Sequence, residues 1–476
     1  MMLMTATKRS VSAATAFLPV SVSVSVRIPS QNRQVRLSSA LSSVPPLIIN
    51  EKPIHSIMAP MVAASDYPFR LLCRQHGVDL CMTQMMHARN CLKSRDFQLA
   101  HFDFIDRPST ANTDSRLYEH LLPSQQSCIA GMEEYLYTGA HHVEGGPLIV
   151  QLAGSEPTLM VDAAQLILDQ APAIAGIDVN LGCPQGIARK GKYGAFLMEQ
   201  QEHVVMDILS ALRRNLPEHV KVSAKIRLPA NGSDDILKER MKKLMATGVD
   251  FVTIHGRTLH ENKTLVGAAH LDKVRLAIDT CRQVRPNDFP IVANGGIEQY
   301  SDIQKVLTLT SASAIMSSEA LLETPNVFSE PSNVDNNPAA LFSQQLQFAR
   351  DYLYYAAQHP PLPGTTGGSF NIVRGHLFKF LHRYMQPELR DKVAKLQSIF
   401  EALLLLNEFE EFYRNQNEQL LAQCTTSWYR RHWAANERVN SRKHLEPIIA
   451  PLEERKLVMQ ARIAKLKEQR NKIIAA

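Results

Sequence analysis

Eight short apolar runs, separated by segments of helical periodicity, constrain the fold of this chain more than any other feature. They lie at 55–58, 79–83, 148–152, 176–180, 220–226, 250–254, 290–293 and 313–316. Strands that alternate with helices pair in parallel, because a parallel pair needs a long crossover connection. Eight such strands fit the roughly 250 residues of a closed (β/α)8 barrel, the TIM barrel. The alternative, an open doubly wound sheet, is disfavoured because no run leads into a Gly-x-Gly-x-x-Gly turn.

The segments that flank the predicted α/β barrel differ from it in composition. We predict a disordered extension or transit peptide at 1–50, the barrel at 51–330, a small all-helical domain at 338–425 and a basic helical tail at 428–476. Helical periodicity in the all-helical domain occupies 339–357, 370–384, 387–406 and 408–424. Within the barrel, the connection from about 86 to 146 is too long for a single helix and predicts an insertion.

The net charge of +6 is concentrated at the two ends of the chain. Residues 1–50 carry a charge of +5 with no acidic residue, residues 428–476 carry +7, and the remainder carries −6. An acid-free stretch rich in Ser, Val and Ala with scattered Arg is typical of an import peptide for a mitochondrion or plastid. The alternative is an extension that carries no targeting signal. The cationic tail could bind RNA, an anionic membrane or a partner helix.

The cysteines and the hydropathy exclude several classes of protein. The seven cysteines are scattered and form no Cys-x-x-Cys pair, which indicates a reducing compartment and no structural zinc or iron–sulfur site. We therefore predict no metal. No stretch approaches the roughly 18–20 apolar residues that a membrane span needs. We expect a monomer without stable membrane association.

The most informative stretch runs from Ile177 to Gly186, where a buried strand breaks at Gly-Cys-Pro. A barrel carries its chemistry on the loops at the C-terminal ends of its strands, so Cys183 lies where a reactive side chain is expected. The loop that follows is rich in glycine and contains Arg189 and Lys190. A thiol beside a cationic loop is a candidate acid or nucleophile that faces an anionic substrate. An unpaired cysteine alone is more often inert, so the case for a reactive Cys183 depends on the residues at the other strand ends.

Polar residues and turns follow the other predicted strands as well. In chain order they are Ala59-Pro60-Met61, Thr83-Gln84-Met85, Gln151, Asn180, Lys225 with Arg227, His255, Asn294-Gly295-Gly296 and Ser318-Glu319. Strand ends converge on one face of a barrel, so these residues would line a single cavity. The Asn-Gly-Gly turn after the seventh strand, followed by a helical segment, suits a phosphate. Individually, Gln151 or Asn180 could cap a loop, and His255 could be a core histidine.

These motifs resemble those of the tRNA-dihydrouridine synthase family. The resemblance covers about 53–425 and rests on Met58-Ala59-Pro60-Met61, Asp66-Tyr67-Pro68-Phe69-Arg70, Asn180-Leu181-Gly182-Cys183-Pro184, Gly194-Ala195-Phe196-Leu197-Met198, Ser223-Ala224-Lys225-Ile226-Arg227, Thr253-Ile254-His255-Gly256-Arg257-Thr258 and Ala293-Asn294-Gly295-Gly296-Ile297. Three further segments resemble the eukaryotic-type subgroup that acts on D-loop uridines 16 and 17: Met85-Met86-His87-Ala88, Ser317-Ser318-Glu319-Ala320 and Gly375-His376-Leu377-Phe378-Lys379.

The resemblance implies a flavoprotein that contains FMN, uses NADPH or NADH as reductant and acts on tRNA. It implies that Cys183 protonates C5 of uracil as a general acid. The residues that it implies for the cofactor are Ala59, Pro60, Met61, Gln151, Asn180, Lys225, His255, Asn294, Gly295, Gly296, Ser318 and Glu319. Those that we expect to contact tRNA are Arg189, Lys190, Arg257, Arg374, His376 and Lys379.

Alternatives stay open on the sequence alone. One is an FMN-dependent barrel that reduces a small molecule and does not need the basic tail. Another is a lyase that forms a Schiff base with Lys225, and a third is an RNA-binding module without activity. Two segments depart from the family pattern: Thr83-Gln84-Met85 stands where many members have Thr-Glu-Met, and Ser318-Glu319 stands where many have Gly-Arg.

Overall fold

The structure is a computed structural model. It describes residues 44–104, 145–262, 265–286, 288–331, 337–359 and 370–414, together with 421, 424 and 427–429. The predicted N-terminal extension and basic tail, and most of the predicted insertion, lie outside the described residues. Within the described part of the chain, no helix combines the length and the apolarity that crossing a bilayer requires.

Eight parallel strands close into a barrel, as the sequence predicts. The strands in chain order are β1 Leu47–Ile49, β2 Lys52–Ile54, β3 Ser56–Met58, β4 Leu80–Met82, β5 Met86–His87, β6 Leu148–Ala153, β7 Gly176–Leu181, β8 Lys221–Leu228, β9 Phe251–Thr258, β10 Ile291–Asn294 and β11 Ala314–Ser317. The barrel consists of β3, β4 and β6 to β11, and it closes because β3 pairs with both β4 and β11 while β4 also pairs with β6. Each predicted apolar run supplies one of these strands.

Helices surround the barrel and then form a separate layer after it. Those of the barrel region are Tyr67–Gln75, Ala88–Lys93, Arg95–His101, Pro157–Gln170, Gly186–Lys190, Ala195–Gln200, Glu202–Asn215, Asp234–Ala246, Leu271–Val284, Tyr300–Thr310 and Glu319–Glu323. Those of the C-terminal region are Pro338–Gln358, Asn371–Phe380, the 3-10 turn His382–Tyr384, Pro387–Lys395 and Ile399–Arg414.

The predicted boundary between the last two helices was wrong. We placed one helix at 387–406 and the next at 408–424, whereas the chain breaks near Leu396 and then runs as one helix over Ile399–Arg414. The break is fixed by Ser398, whose hydroxyl accepts from the backbone N–H of Glu401, while the Glu401 carboxylate accepts from the N–H of Gln397. This is the Ser-x-x-Glu signature of a helix start, which outweighs the continuous apolar pattern.

Alternation along the strands separates the interior of the barrel from its outer shell. In β9, Phe251 belongs to the cluster of apolar side chains inside the barrel, whereas Val252 and Ile254 pack outward against the helices. The hairpin of β1 and β2 adds Leu47, Ile49 and Ile54 to the inner cluster. Because side chains alternate with a period of two, the inward positions near the strand C-termini are the polar ones.

The helical region packs on the barrel through a buried polar contact. Asp66, at the start of the first barrel helix, accepts from the Tyr352 hydroxyl at 2.9 Å and from His376 Nε2 at 2.7 Å. The His376 ring stacks on Phe69 with ring centroids 4.5 Å apart. Burial lowers the pKa of His376 despite the neighbouring carboxylate. Its Nδ1 is buried without a partner in the described structure, which fits a neutral ring protonated on Nε2.

We expect acid to destabilise the fold through His76 at the end of the first barrel helix. Burial lowers its pKa to about 4 from an ordinary value of 6.5. Between pH 6.5 and 4 the unfolded state binds a proton at His76 and the folded state does not. The contribution of His76 to the free energy of unfolding is therefore full above pH 6.5 and falls as the pH drops toward 4. Between pH 7.5 and 5 the loss is about 2 kcal/mol. Urea unfolding at both pH values, with His76→Gln as the comparison, measures it. An equal pH dependence in the variant would contradict this role for His76.

Candidate active site

A chain of hydrogen bonds crosses the mouth of the barrel, the end at which the strand C-termini lie, from β8 to the Cys183 loop. Ser223 Oγ and Gln151 Nε2 donate to the carboxylate of Asp178 at 2.6 and 2.8 Å. Asn180 Nδ2 donates to Gln151 Oε1 at 2.8 Å, and Asn180 Oδ1 accepts from the backbone N–H of Cys183 at 3.0 Å. Burial raises the pKa of Asp178 to about 6. The chain fixes each amide orientation and holds the start of the cysteine loop.

Cys183 is half-buried on a loop that folds back on itself. The Cys183 carbonyl accepts from the N–H of Ala195 at 3.2 Å, which closes the loop over residues 183–195. Burial raises the pKa of the thiol, so the group is protonated near neutral pH. Tyr193 is buried beside it, and the proximity of Cys183 contributes to a raised pKa of the phenol. The loop thus presents a protonated thiol to the mouth.

Replacing Gly194 with alanine is expected to displace this loop. Gly194 has a φ of +69°, and an added Cβ would lie 2.7 Å from the carbonyl oxygen of Cys183. The strained backbone alone costs on the order of 1–3 kcal/mol, and the clash adds to it. We expect a lower thermal midpoint and a reduced activity. Gly232→Ala is the control, because Gly232 also has a positive φ of +69° but open space around its Cβ position. Equal losses in both variants would mean that the loop clash is unimportant.

Lys225 is half-buried in the mouth. Its Nζ donates to Asn294 Oδ1 at 2.9 Å, and Asn294 Nδ2 donates to the Met316 carbonyl at 2.9 Å, which fixes the amide. Burial and the nearby Arg227 lower the pKa of Lys225 to about 8. A half-buried cation of this kind stabilises negative charge that develops on a bound group.

His255 lies beside Lys225 and is neutral. Burial and the cations Arg227, Lys225 and Arg257 hold its pKa well below 6.5. The His255 Nε2 is 3.0 Å from an Arg257 nitrogen, and because a guanidinium can only donate, Nε2 accepts this bond. His255 therefore carries its proton on Nδ1.

The mouth is electropositive because two arginines join Lys225. Arg227 donates to the carbonyls of Gly182 and Thr258 at 2.8 and 2.9 Å, and burial together with Arg257 lowers its pKa to about 10. Arg257 donates to the Gly267 carbonyl at 2.8 Å. These bonds go to neutral carbonyls and leave the positive charges of both arginines uncompensated, so the mouth suits an anionic ligand.

The loop after β3 forms one wall of the mouth. Ala59 is buried, whereas Pro60 and Met61 are half-buried. Ser65 Oγ donates to the Ala59 carbonyl and accepts from the Met61 N–H, at 3.0 and 2.8 Å. Gln84, the residue that departs from the family pattern, accepts from the backbone N–H of Ala63 at 3.2 Å. The loop is thereby held in one shape without a carboxylate at position 84.

The Asn-Gly-Gly turn after β10 has the left-handed backbone that glycines allow, and its role as a phosphate cradle stays a prediction. Gly295 and Gly296 have φ values of +101° and +82°. The helix Tyr300–Thr310 that follows begins with a capping box, in which the Asp302 carboxylate accepts from the N–H groups of Glu298 and Gln299. The first turn of this helix therefore carries a negative charge. Ser318 is half-buried and Glu319 is exposed at the end of β11.

The rim beside the cysteine loop carries exposed cations. Arg189 and Lys190 are exposed in the short helix that follows Cys183. A cleft of about 480 Å³ lies between this loop and the end of β6. Its lining includes His87, Arg89, Glu156, Lys190 and Lys192. The cleft is open to solvent, and its lining combines cations with the carboxylate of Glu156.

The cations of the C-terminal region whose spacing predicts several of them on one helical side are Arg374, His376, Lys379, His382 and Arg383. Arg374 donates to the carbonyls of Ala394 and Leu396, both at 3.0 Å, and Lys379 lies over the ring of Trp428. His376 is fully buried against Asp66, which is at odds with its predicted contact with tRNA. Arg374 and His376 differ because residues two apart do not lie on the same face of a helix.

Sequence reasoning missed several residues of the site. Asp178 was passed over although its spacing from Asn180 places both side chains inside the barrel. Ser223 had no expected role, although it shares that spacing with Lys225 and with Arg227, which was expected to line the cavity. Tyr193 and Tyr429 offered no signal, because their positions depend on the packing of loops. No group of three or more potential metal ligands is found among the residues that the structure describes.

The comparisons with known proteins agree with this geometry. The family model described as Dihydrouridine synthase (Dus) matches residues 57–423. A Rattus norvegicus protein named tRNA-dihydrouridine(16/17) synthase (NAD(P)(+))-like is 31% identical over 349 residues, 72% of this chain and 64% of that protein. A Schizosaccharomyces pombe tRNA-dihydrouridine(16/17) synthase (NAD(P)(+)) is 28% identical over 71% of this chain and 72% of its own length. A Mus musculus tRNA-dihydrouridine(20a/20b) synthase (NAD(P)+)-like protein is 31% identical over 57% of this chain and 68% of its own length. The chain thus spans 64% of the length of the rat relative.

Proposed function

Since the chain belongs to the dihydrouridine synthase family, we propose that it reduces the C5–C6 double bond of uridines in the tRNA D-loop, with FMN as its cofactor and NADPH or NADH as reductant. The observation that carries the proposal is the position of the Cys183 loop. Its Gly182 carbonyl accepts from Arg227, two residues beyond the half-buried Lys225 on β8. The protonated thiol of Cys183 and the cation of Lys225 therefore lie at the same mouth of the barrel.

The residues of the mouth fit a flavin mononucleotide. The half-buried Lys225 and the buried Arg257 suit a group with an anionic phosphate and a ring that gains negative charge on reduction. The backbone at Gly295 and Gly296 carries no side chains that would hinder its contact with a phosphate, and the buried amide of Gln151 bonds to Asp178 and Asn180. When bound, the flavin supplies the hydride for C6 of the uracil.

Cys183 would supply the proton that the second carbon needs. Reduction of uracil adds a hydride at C6 and a proton at C5, so a general acid must lie on the substrate side. The thiol is suited to this because burial raises its pKa and it holds its proton before the reaction. The thiolate that remains after transfer lies near Arg227, whose charge favours it.

The target uridine must leave the stacked RNA to reach the mouth. Arg189 and Lys190, both exposed beside the cysteine loop, would then hold phosphates on either side of the extruded nucleotide. Of the predicted tRNA contacts on the helical region, Lys379 and Arg374 stay in the proposal because neither is fully buried. His376 is left out of it.

The proposed positions are uridines 16 and 17, the specificity that the names of the rat and fission yeast relatives carry. The decisive experiment incubates the purified chain with NADPH and unmodified tRNA, then maps reduced uridines by reverse-transcription arrest. Reduction at 16 and 17 is the expected result. Reduction at 20a or 20b alone would keep the reaction and refute the positions. A folded, flavin-loaded protein that reduces no RNA would favour a small-molecule substrate.

Organelle import and a monomeric state complete the proposal. The import part is supported by the five cations and the absence of Asp and Glu in residues 1–50. A fluorescent protein fused behind residues 1–50 should enter an organelle, and diffuse fluorescence would refute the import. Light scattering of the purified chain tests the monomer.

A further inference from the structure

Arg257 is a buried cation without an anionic partner. Its side chain points into the barrel two residues after His255, and only 7% of the residue is exposed. Its bonds go to the Gly267 carbonyl and to His255 Nε2, both neutral acceptors. Among the residues that the structure describes, no carboxylate forms an ion pair with Arg257. A buried charge is costly unless an opposite charge meets it, so the position suits a bound anion.

The Arg257 guanidinium borders the glycine turn after β10. Its Nη1, which also lies against His255 Nε2, is 3.4 Å from the point where a Cβ on Gly295 would stand. That point is 3.2 Å from both Ala269 Cβ and His255 Cδ2, so a glycine is needed for the turn to pack this close to the guanidinium. Asp302 places a negative charge in the first turn of the helix that follows, which weakens the attraction of that helix for an anion. Arg257 adds a full positive charge beside the turn.

The segment 427–429, after the helical region, adds an aromatic residue beside Arg257. The backbone N–H of Tyr429 donates to Glu323 Oε2 at 3.2 Å. Trp428 packs edge-on against His382, with ring centroids 5.5 Å apart, and Lys379 lies 5.9 Å above its ring. These anchors place the buried phenol of Tyr429 beside the Arg257 guanidinium and near Glu298 and Glu319. The Tyr429 hydroxyl is therefore a polar neighbour of the Arg257 guanidinium.

We propose that Arg257 binds the terminal phosphate of the flavin and that Tyr429 positions this guanidinium. The inference rests on the proposed function for the identity of the cofactor. It assigns Arg257 to the cofactor instead of the RNA, contrary to our expectation from the sequence. It also makes the segment at 427–429 part of the flavin site, although it follows the barrel by about a hundred residues.

The test compares FMN with riboflavin, which lacks the phosphate. The full-length chain is stripped of flavin, and the affinity for each compound is measured by quenching of flavin fluorescence. We expect Arg257→Met to weaken FMN binding at least 10-fold and riboflavin binding less than 2-fold. Tyr429→Phe should weaken FMN about 3-fold with riboflavin unchanged. Lys305→Met, which removes an exposed lysine on the helix Tyr300–Thr310, is the control and should change neither.

Each outcome decides a different question. A wild-type preference for FMN that persists in Arg257→Met overturns the inference but leaves the proposed function intact. If Arg257→Met keeps this preference and loses affinity for tRNA, Arg257 belongs to the RNA site instead. A wild-type chain that binds neither compound refutes the flavin part of the proposed function. Should Arg257→Met fail to fold, Arg257→Lys and Tyr429→Phe carry the same comparison.

Discussion

Replacing Cys183 with alanine is expected to lower dihydrouridine formation by about 10²- to 10⁴-fold, the usual contribution of a positioned general acid. The bonds of Cys183 to Asn180 and Ala195 use its backbone and survive the change, and the thiol contributes only a contact with the Gln185 backbone. Flavin content and tRNA affinity should therefore stay at wild-type values. Reduction of the flavin by NADPH should also be unchanged, because it does not require the thiol.

Single-turnover mixing of the reduced protein with unmodified tRNA measures the step directly. Cys424→Ala is the matched control, since Cys424 is also half-buried and in no disulfide but lies in the C-terminal segment. Wild-type turnover by the Cys183 variant would remove Cys183 from the mechanism. Loss of tRNA affinity in that variant would instead indicate that the thiol contributes to the shape of the loop.

Replacing Lys225 with methionine is expected to slow flavin reduction by NADPH by about 10²- to 10³-fold, as loss of a buried group that stabilises developing charge does elsewhere. The change removes a cation while keeping the length of the side chain. It also leaves Asn294 Oδ1 without its donor. The measurement is stopped-flow absorbance of the flavin, and Lys221→Met is the control, because Lys221 lies on the same strand near the other end of the barrel. An unchanged rate would mean that Lys225 has no electrostatic role.

The pH dependence adds a second readout for Lys225. Its pKa of about 8 means that the cation is present below pH 8 and lost above it. The rate of flavin reduction should thus fall as the pH rises through 8. In Lys225→Arg this fall should move to higher pH. A lysine with a lowered pKa also suits a Schiff-base enzyme, so borohydride trapping with carbonyl compounds is the discriminating test. A trapped adduct on Lys225 would favour the lyase.

The parts of this structure that the sequence predicted are those set by local pattern. The barrel follows from apolar runs at strand length, and alternation along β8 places Ser223, Lys225 and Arg227 on the inner face. The Cys183 loop was predictable because a glycine and a proline end the strand there. A period of two and a turn signal are properties of a few consecutive residues, so no tertiary information is needed to read them.

The parts that it did not predict depend on partners far along the chain. His376 lies in a largely apolar helix, and its spacing from Val373 and Phe380 is a local signal of burial that sequence reasoning did not use. Its partner Asp66, 310 residues earlier, could not be read from local pattern. Arg257 belongs to a motif that suggested an RNA contact, but its burial follows from the neighbouring loops. The capping box of the helix after Gly296 was readable from Gln299 and Asp302, whereas the phosphate expected at this turn stays a prediction.

The buried contact of Asp66 with His376 and Tyr352 limits how this architecture can be recombined. Asp66 directly follows Ser65, which fixes the loop that forms a wall of the mouth. A helical region transplanted from a relative that lacks both partners would leave the Asp66 carboxylate buried without these two donors, at a cost of about 3–5 kcal/mol. A chimera designed to change RNA specificity therefore has to carry residues 59–66 together with the helices that contact them, as one exchangeable unit.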